Sequence, residues 1–208
     1  MRRGSVKRMH LRVRRDGSVY VSAPYRASMK DIERFVTDNR DWIERTVKRV
    51  TEADHGYADG ETVPVLGEEY VLHIIISPDE RVAIEGPDLF VFTSDDPEPV
   101  MREFHRDIIK RVAPQYLDRW TRETGLRYSE FRTKYMRTKW GTCNTREKRI
   151  WLSTKLAEKP PECIEYVVLH EICHLRYADH GPGFKAMLDA YMPDWRERCR
   201  RLNPRVNP

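Results

Sequence analysis

The sequence predicts an α+β protein in which a β-rich N-terminal lobe with one helix precedes a lobe built around a strongly apolar helix. Alternating apolar and polar residues, separated by turn residues, predict strands in the first half of the chain. In the second half, apolar residues recur at helical spacing over residues 98–123 and again after residue 160. The chain-breaking residues 95–97 separate the two patterns, so we place the lobes at residues 1–97 and 98–208.

Two hairpins and one helix are predicted in the N-terminal lobe. The hairpins pair residues 11–13 with 19–21 and residues 63–66 with 70–76. Ser28 is a predicted N-cap with Asp31 as the acidic third residue, so the helix should run from there to about Val50. A short strand over residues 88–92 completes this lobe.

The second lobe is predicted to contain two long helices, two strands and two short closing helices. The first long helix should stop at Gly125, and the strands should occupy residues 131–137 and 149–153. Residues 140–144 between these strands have the composition of a turn. The second long helix should begin at the prolines 160–161 and end at Gly181-Pro182-Gly183.

The composition indicates a folded chain of 208 residues, 39% hydrophobic and 34% charged. The longest apolar runs are too short to cross a membrane, and no apolar signal segment follows the basic N-terminus. The four cysteines form no C-x-x-C pair, which favours free thiols. We therefore predict a cytoplasmic protein without a membrane partner.

Positive charge is concentrated in residues 101–160, which contain 16 Lys and Arg against 7 Asp and Glu. Such a block is ordinarily a solvated set of helix and loop side chains. It also leaves nucleic acid open as a partner, because phosphates attract clustered basic residues. No basic motif interleaved with aromatic residues is present, which favours the first interpretation.

One motif carries chemistry: residues 170–174 read H-E-x-x-H. On a helix, His170 and His174 lie about 40° apart around the axis, so both imidazoles can reach one metal ion. Glu171 lies about 100° away and can reach a water on that ion, whose pKa zinc lowers to about 7. The motif therefore predicts bound Zn²⁺ and Glu171 as the general base that deprotonates the attacking water.

His180 is the predicted third ligand. On a continuous helix it would point away from the metal, but Gly181-Pro182 can end the helix and let a turn bring it back. The alternatives are carboxylates, namely Glu165, Asp179, Asp189 and Glu197. A purely structural zinc site is disfavoured, because such a site has no need of Glu171 and normally closes its shell with a fourth protein ligand.

In combination these motifs resemble the YgjP-like metallopeptidases, which are similar to the SprT and WLM zincins. The resemblance is carried by Lys139-Trp140-Gly141-Thr142-Cys143, residues 166–175, His180, Phe184, residues 19–24 and Asp41-Trp42-Ile43. It covers most of the chain and implies a zincin-like lobe whose active-site helix packs on a small β-sheet. It further implies zinc on the three histidines and Glu171 in catalysis. Thr142 departs from the commoner Ser, and Tyr177 stands where metzincins of the same spacing need Gly.

A peptide or protein is the predicted substrate. An edge strand beside the active helix, residues 131–137 or 149–153, would align it by strand addition. Three side chains are candidates for the hydrogen-bond donor that stabilises the oxyanion: Tyr177, Arg137 and Lys139. Two other functions remain open, a zinc hydrolase of a non-peptide amide and a DNA-associated protease of the SprT kind. Peptide digestion and salt-dependent DNA retention would separate them.

Overall fold

The chain forms two compact units, Met1–Gly56 and Tyr57–Pro208. The computed structural model describes residues 2–4, 9–13, 18–52 and 57–204. The predicted boundary after residue 97 falls inside the second unit rather than between the two.

Three strands and two helices make up the described part of the first unit. In chain order they are β1 (Arg2–Gly4), β2 (His10–Val13), β3 (Val19–Pro24), α1 (Met29–Asp38) and α2 (Arg40–Glu52). β3 is the central strand, parallel to β1 and antiparallel to β2. The first predicted hairpin is therefore confirmed as β2 and β3, whereas its predicted turn lies outside the described residues.

The single helix predicted to run to Val50 is instead two helices that meet at Asn39. Ser28 begins the first helix as predicted, because its hydroxyl accepts the Asp31 N–H while its own N–H donates to the Asp31 carboxylate, both at 3.2 Å. Asn39 ends this helix, and its side-chain amide donates to the carbonyl of Phe35 at 2.8 Å. Asn side chains compete for backbone groups in this way, which is why they interrupt helices.

The second unit contains two sheets and four α-helices in its described part. In chain order the elements are β4 (Thr62–Val65), β5 (Glu68–Ile76), β6 (Arg81–Glu85), β7 (Asp88–Thr93), α3 (Pro97–Thr124), β8 (Glu130–Lys134), β9 (Gly141–Asn144), β10 (Arg149–Ser153), a 3-10 helix (Thr154–Glu158), α4 (Pro161–Cys173), α5 (Pro182–Tyr191) and α6 (Trp195–Leu202). The strand orders are β4-β5-β7-β6 and β8-β10-β9. The second predicted hairpin is confirmed as β4 and β5, whereas β6 was not predicted.

The four-stranded sheet shares one core with the helices that follow it. α3 packs against β6 and β7 on one side and against α4 on the other. Leu89 and Val91 of the sheet and Met101 and Ile108 of α3 are buried in the same cluster. The sheet therefore belongs with the lobe that contains α4, which explains why the compact units divide near residue 56.

The ends of α3 agree with the prediction. The Asp96 carboxylate accepts the N–H of Glu98 at 2.9 Å and caps the first turn. Gly125 takes the left-handed conformation, with φ of 70°, and its N–H donates to the carbonyl of Thr121 at 3.0 Å.

His105 lies on the buried face of α3, and we expect it to make stability depend on pH. Its Nε2 atom has no hydrogen-bond partner among the described residues, and burial lowers its pKa to about 4. The unfolded chain, with a histidine pKa of about 6.5, takes up this proton first as the pH falls. Stability present above pH 6.5 should therefore be lost towards pH 4, by about 3 kcal/mol in total.

Urea unfolding of metal-free protein between pH 4 and pH 7 measures this effect without interference from metal release. The difference in unfolding free energy between wild type and His105→Leu isolates the histidine, because leucine needs no hydrogen-bond partner and carries no charge. We expect the unfolding free energy of His105→Leu to rise relative to that of wild type as the pH falls. Parallel pH profiles for the two proteins would contradict the prediction.

The three-stranded sheet and α4 form the part of the unit that carries the predicted motif. β10 is the central strand, parallel to β8 and antiparallel to β9. The strands predicted over residues 131–137 and 149–153 are confirmed as β8 and β10. The turn predicted over residues 140–144 is wrong, because residues 141–144 are strand β9. α4 packs against α3, α5, α6, β9 and β10.

The described helices include none that combines the length and the apolar character needed to cross a membrane. The predicted free thiols are confirmed, since all four cysteines are unpaired: Cys143, Cys163, Cys173 and Cys199.

Candidate metal centre and active site

α4 presents the two histidines of the H-E-x-x-H motif at its C-terminal end. The helix ends at Cys173, and His174 follows as its C-cap with helical backbone angles. The rings of His170 and His174 therefore stay on one side, with their centroids 4.9 Å apart. Cys173, between them in the sequence, belongs to the core and is fully buried.

His180 returns to this pair after a turn. Its Nε2 atom lies 3.0 Å from Nε2 of His170, and its ring centroid lies 4.8 Å from that of His174. One nitrogen from each ring can be chosen so that all three lie within 4.8 Å of one another. The helix ends at Cys173 and not at the predicted Gly181-Pro182-Gly183, and Gly181 instead caps the start of α5.

Phe184 on α5 forms an apolar floor beneath the three rings. Its centroid lies 4.9 Å from that of His170 and 4.8 Å from those of His174 and His180. The side chain is only 2% exposed, so it excludes water from one side of the cluster. A dry surface of this kind strengthens the electrostatic interactions made within the cluster.

His170 and His174 are suited to hold a metal cation because burial favours the neutral state of both imidazoles. Burial lowers the pKa of His170 to about 3 and also lowers that of His174. The Nδ1–H of His174 donates to the carbonyl of Tyr177 at 3.0 Å, which leaves Nε2 with its lone pair free. Zinc–nitrogen distances of about 2.0–2.1 Å are compatible with the 3.0 Å separation of the His170 and His180 nitrogens.

Glu171 is the one carboxylate that lines the cleft beside the histidines. It is 4% exposed, and its Oε2 atom has no hydrogen-bond partner among the described residues. Burial raises its pKa to about 8, while the charge of Lys139 acts in the opposite direction. A buried carboxylate without a hydrogen-bond partner is costly unless a bound group supplies one. The unpartnered Oε2 atom is therefore an argument that a cation and a water bind in the cleft.

Gly141 lets the backbone of β9 lie directly against Glu171. A Cβ atom added at Gly141 would stand 2.5 Å from Oε1 and 2.9 Å from Cδ of that carboxyl group. The glycine of the Trp-Gly-Thr-Cys run therefore has a steric role at the active site. The sequence contained this signal, although the glycine was interpreted as part of a turn.

We expect Gly141→Ala to displace the Glu171 carboxylate and to lower both stability and activity. An added methyl in a tight site typically costs about 1–3 kcal/mol. Unfolding of the metal-free protein measures the cost in the wild type and in a Glu171→Ala background. If the clash is with the carboxylate, the second background should relieve most of it. An equal cost in both backgrounds would contradict this account of Gly141.

The acidic alternatives for the third ligand are all engaged elsewhere. Glu165 bonds to Arg119 and Arg198, Asp179 to the N–H of Gly181, Asp189 to Arg196 and Trp195, and Glu197 to Arg201. Glu165 is nearly buried between its two arginines, at 2.7 and 2.5 Å. These contacts favour His180 as the group that joins the other two histidines.

A cleft of about 450 Å³ opens above the three histidines. One wall is formed by Lys139, Trp140, Thr142 and Cys143, and Leu202 and Asn203 also line the cleft. β9, which contributes Thr142 and Cys143 to this wall, is an edge strand of its sheet. Of the two strands predicted as candidates for the edge strand, residues 149–153 form the central strand β10, whereas residues 130–134 form the edge strand β8. β8 is the opposite edge.

The cleft wall distinguishes among the three donors that sequence reasoning left open. Lys139 lines the cleft, whereas Arg137 is exposed outside it. The ring of Tyr177 lies against Gly183, where an added Cβ would stand 2.7 Å from its Cε1 atom. The hydroxyl of Tyr166, which sequence reasoning did not single out, lies 3.4 Å from Nδ1 of His170.

The α+β fold and the cluster of three histidines beside a glutamate agree with those of a metallopeptidase. The profile of the YgjP-like metallopeptidase domain matches residues 7–205. The chain therefore belongs to the YgjP-like metallopeptidase family, whose members hydrolyse peptide bonds with the help of a bound metal ion.

Two solved structures of metallopeptidase zymogens share part of the fold. Jannalysin of Methanocaldococcus jannaschii is 19% identical, with a TM-score of 0.41 over 46% of this chain and 90% of that one. Abylysin of Pyrococcus abyssi is 15% identical, with a TM-score of 0.40 over 46% of this chain and 99% of that one. No curated protein matches the sequence. The family assignment rests on the profile match.

Proposed function

We propose that this protein is a zinc peptidase in which His170, His174 and His180 hold the ion and Glu171 is the general base. The observation that carries the proposal is the meeting of three imidazole nitrogens with an unpartnered buried carboxylate in one cleft. Three neutral nitrogen ligands that leave one position open are characteristic of catalytic zinc sites.

The chain's own groups then have defined tasks. When bound, zinc supplies a Lewis acid that acidifies water and polarises a carbonyl. Glu171 accepts the proton of the attacking water at its unpartnered Oε2 and returns it to the departing amine nitrogen. Lys139, whose positive charge lowers the pKa of Glu171, helps to keep this carboxylate ionised before the attack.

β9 is the element that would orient the peptide. It is an edge strand, it lines the cleft, and Gly141 at its start touches Glu171. A peptide that adds to this free edge would pass its backbone over the histidines, with main-chain hydrogen bonds supplying affinity irrespective of sequence.

Two measurements test the proposal. Elemental analysis of protein purified without a metal-affinity tag should find about one zinc per chain, or uptake of zinc on addition. Zinc-loaded protein should cleave members of a peptide library, with the new termini identified by mass spectrometry. Absence of zinc after incubation with excess ion would overturn the metal assignment. Turnover of non-peptide amides without peptide cleavage would favour the amide hydrolase, and salt-dependent DNA retention would favour a DNA-associated protease.

A further inference from the structure

Trp140 is a fixed part of the cleft wall. Its ring is half-buried and lines the cleft, and its indole N–H donates to the side-chain oxygen of Asn203 at 2.8 Å. Its backbone carbonyl accepts the N–H of Ser153 at 2.8 Å, at the end of β10. Because both the ring and the backbone are held, groups placed around this tryptophan keep a defined position beside the metal centre.

Three lysines surround this tryptophan. The Nζ atoms of Lys155 and Lys159 lie 5.9 and 5.7 Å from the Trp140 ring centroid. Lys139 precedes the tryptophan in the chain and lines the cleft itself. We call Lys139, Lys155 and Lys159 the lysine wall. Lys155 lies in the 3-10 helix, and Lys159 follows directly after it. Leu156 and Ala157 of this helix are fully buried, so the backbone that carries the two lysines is anchored in the core.

Little negative charge offsets the lysine wall. Among the ion pairs formed by the described residues, none includes any of its three members. The carboxylate of the half-buried Glu158 interacts electrostatically with Lys155 and Lys159 and offsets part of their charge. Among the described residues that line the cleft, Glu171 alone has a carboxylate, and this side chain is buried. Lys139 lines the cleft, and Lys155 and Lys159 lie beside the Trp140 ring that lines it, so this side of the cleft carries positive charge that attracts anionic groups.

We infer that the lysine wall is a specificity site that selects peptides with an aspartate or glutamate close to the scissile bond. The inference rests on the proposed peptidase function and names its substrate class. A carboxylate side chain that projects from a peptide on β9 can reach ammonium groups beside Trp140 while the backbone stays over the histidines. A nucleic acid fits this wall less well, since Trp140 is half-buried and held at its edge, whereas base stacking needs an open aromatic face.

Peptide sets that differ at one position test the inference. Each of the three positions on either side of the scissile bond carries Asp, Asn or Lys in turn, and kcat and KM are measured with zinc-loaded enzyme. At one or more positions we expect Asp to exceed Lys in kcat/KM by about tenfold at low salt, which is the combined effect of a few exposed ion pairs. The difference should lie mainly in KM and should shrink at high ionic strength.

The variant Lys155→Glu/Lys159→Glu should lose or invert this preference. The matched control is Lys110→Glu/Lys134→Glu, which changes the net charge equally on α3 and on β8, the sheet edge opposite to the cleft strand. The control should keep the wild-type preference. If the charge-reversed protein is poorly folded, Lys155→Gln/Lys159→Gln offers a milder change. In that variant the kcat/KM ratio of the Asp peptide to the Lys peptide should fall towards the ratio of the Asn peptide to the Lys peptide.

The outcomes distinguish this inference from the proposed function. If no zinc-loaded protein cleaves any peptide, the peptidase proposal itself fails. If peptides are cleaved with equal efficiency whatever the charge, or the double variant keeps the wild-type preference, only the lysine wall is wrong. Binding of a single-stranded oligonucleotide that depends on Lys155 and Lys159, without selection among peptides, would likewise overturn it.

Discussion

Glu171→Gln should retain zinc and lose hydrolysis, with kcat/KM reduced by about 10²–10⁴-fold. Glutamine has nearly the shape of glutamate and fits the same space against Gly141, but its amide cannot accept the proton of the attacking water. General-base catalysis by a positioned side chain typically contributes a factor of this size. Metal content measured beside peptide cleavage separates loss of the base from loss of the ion.

A matched substitution on the same helix provides the control. Glu162→Gln makes the same chemical change near the start of α4, where the carboxylate pairs with Arg201 at 2.7 Å and lies outside the cleft. It should keep both zinc and activity. Wild-type turnover by zinc-loaded Glu171→Gln would show that another group is the base, and simultaneous loss of zinc would mean that Glu171 supports the metal rather than the water.

Local features of the fold could be predicted because they depend on neighbouring residues. The cap at Ser28 and the stop at Gly125 act within one helical turn, and the histidine pair at the end of α4 follows from the helical repeat. The break at Asn39 was missed, because the apolar stripe continues across it and only the side-chain bond to Phe35 shows that the first helix ends.

Features that depend on distant residues could not be predicted. Residues 141–144 have turn composition, but they form strand β9 because they pair with β10. The glycine at position 141 is needed because the Glu171 carboxyl group leaves no room for a side chain there. The division between the compact units near residue 56 could not be predicted for a similar reason, since the core shared by the four-stranded sheet and α3 is a tertiary contact. The lysine wall likewise joins Lys139 to two lysines that lie 16 and 20 positions further along the chain.

His180 combines both kinds of information. Sequence reasoning placed it at a helix end and predicted that a turn would bring it back to the other two histidines. The structure ends the helix earlier, at Cys173, and uses residues 174–181 for the return. The predicted meeting of the three rings is found, although the path that produces it differs from the predicted one. Their role as metal ligands stays a prediction.

His180→Ala should therefore weaken zinc binding by more than about 100-fold while the fold persists. Loss of a group that merely supports a ligand already costs about 10–100-fold in affinity, and removal of a ligand should cost more. The side chain is exposed, so its truncation leaves no buried cavity, and the unfolding transition of the metal-free variant should match that of wild type. Competition with a chelator of known affinity measures the zinc constant.

Asp179→Ala is the sharpest control for this experiment, because Asp179 belongs to the same turn and its carboxylate accepts the N–H of Gly181 at 3.0 Å. A general disturbance of the turn would weaken zinc binding in both variants, whereas a ligand role predicts a large loss for His180→Ala alone. The corresponding alanine variants of Glu165, Asp189 and Glu197 complete the set. If His180→Ala bound zinc like wild type and one of the acidic variants lost it, the centre would hold two histidines and a carboxylate.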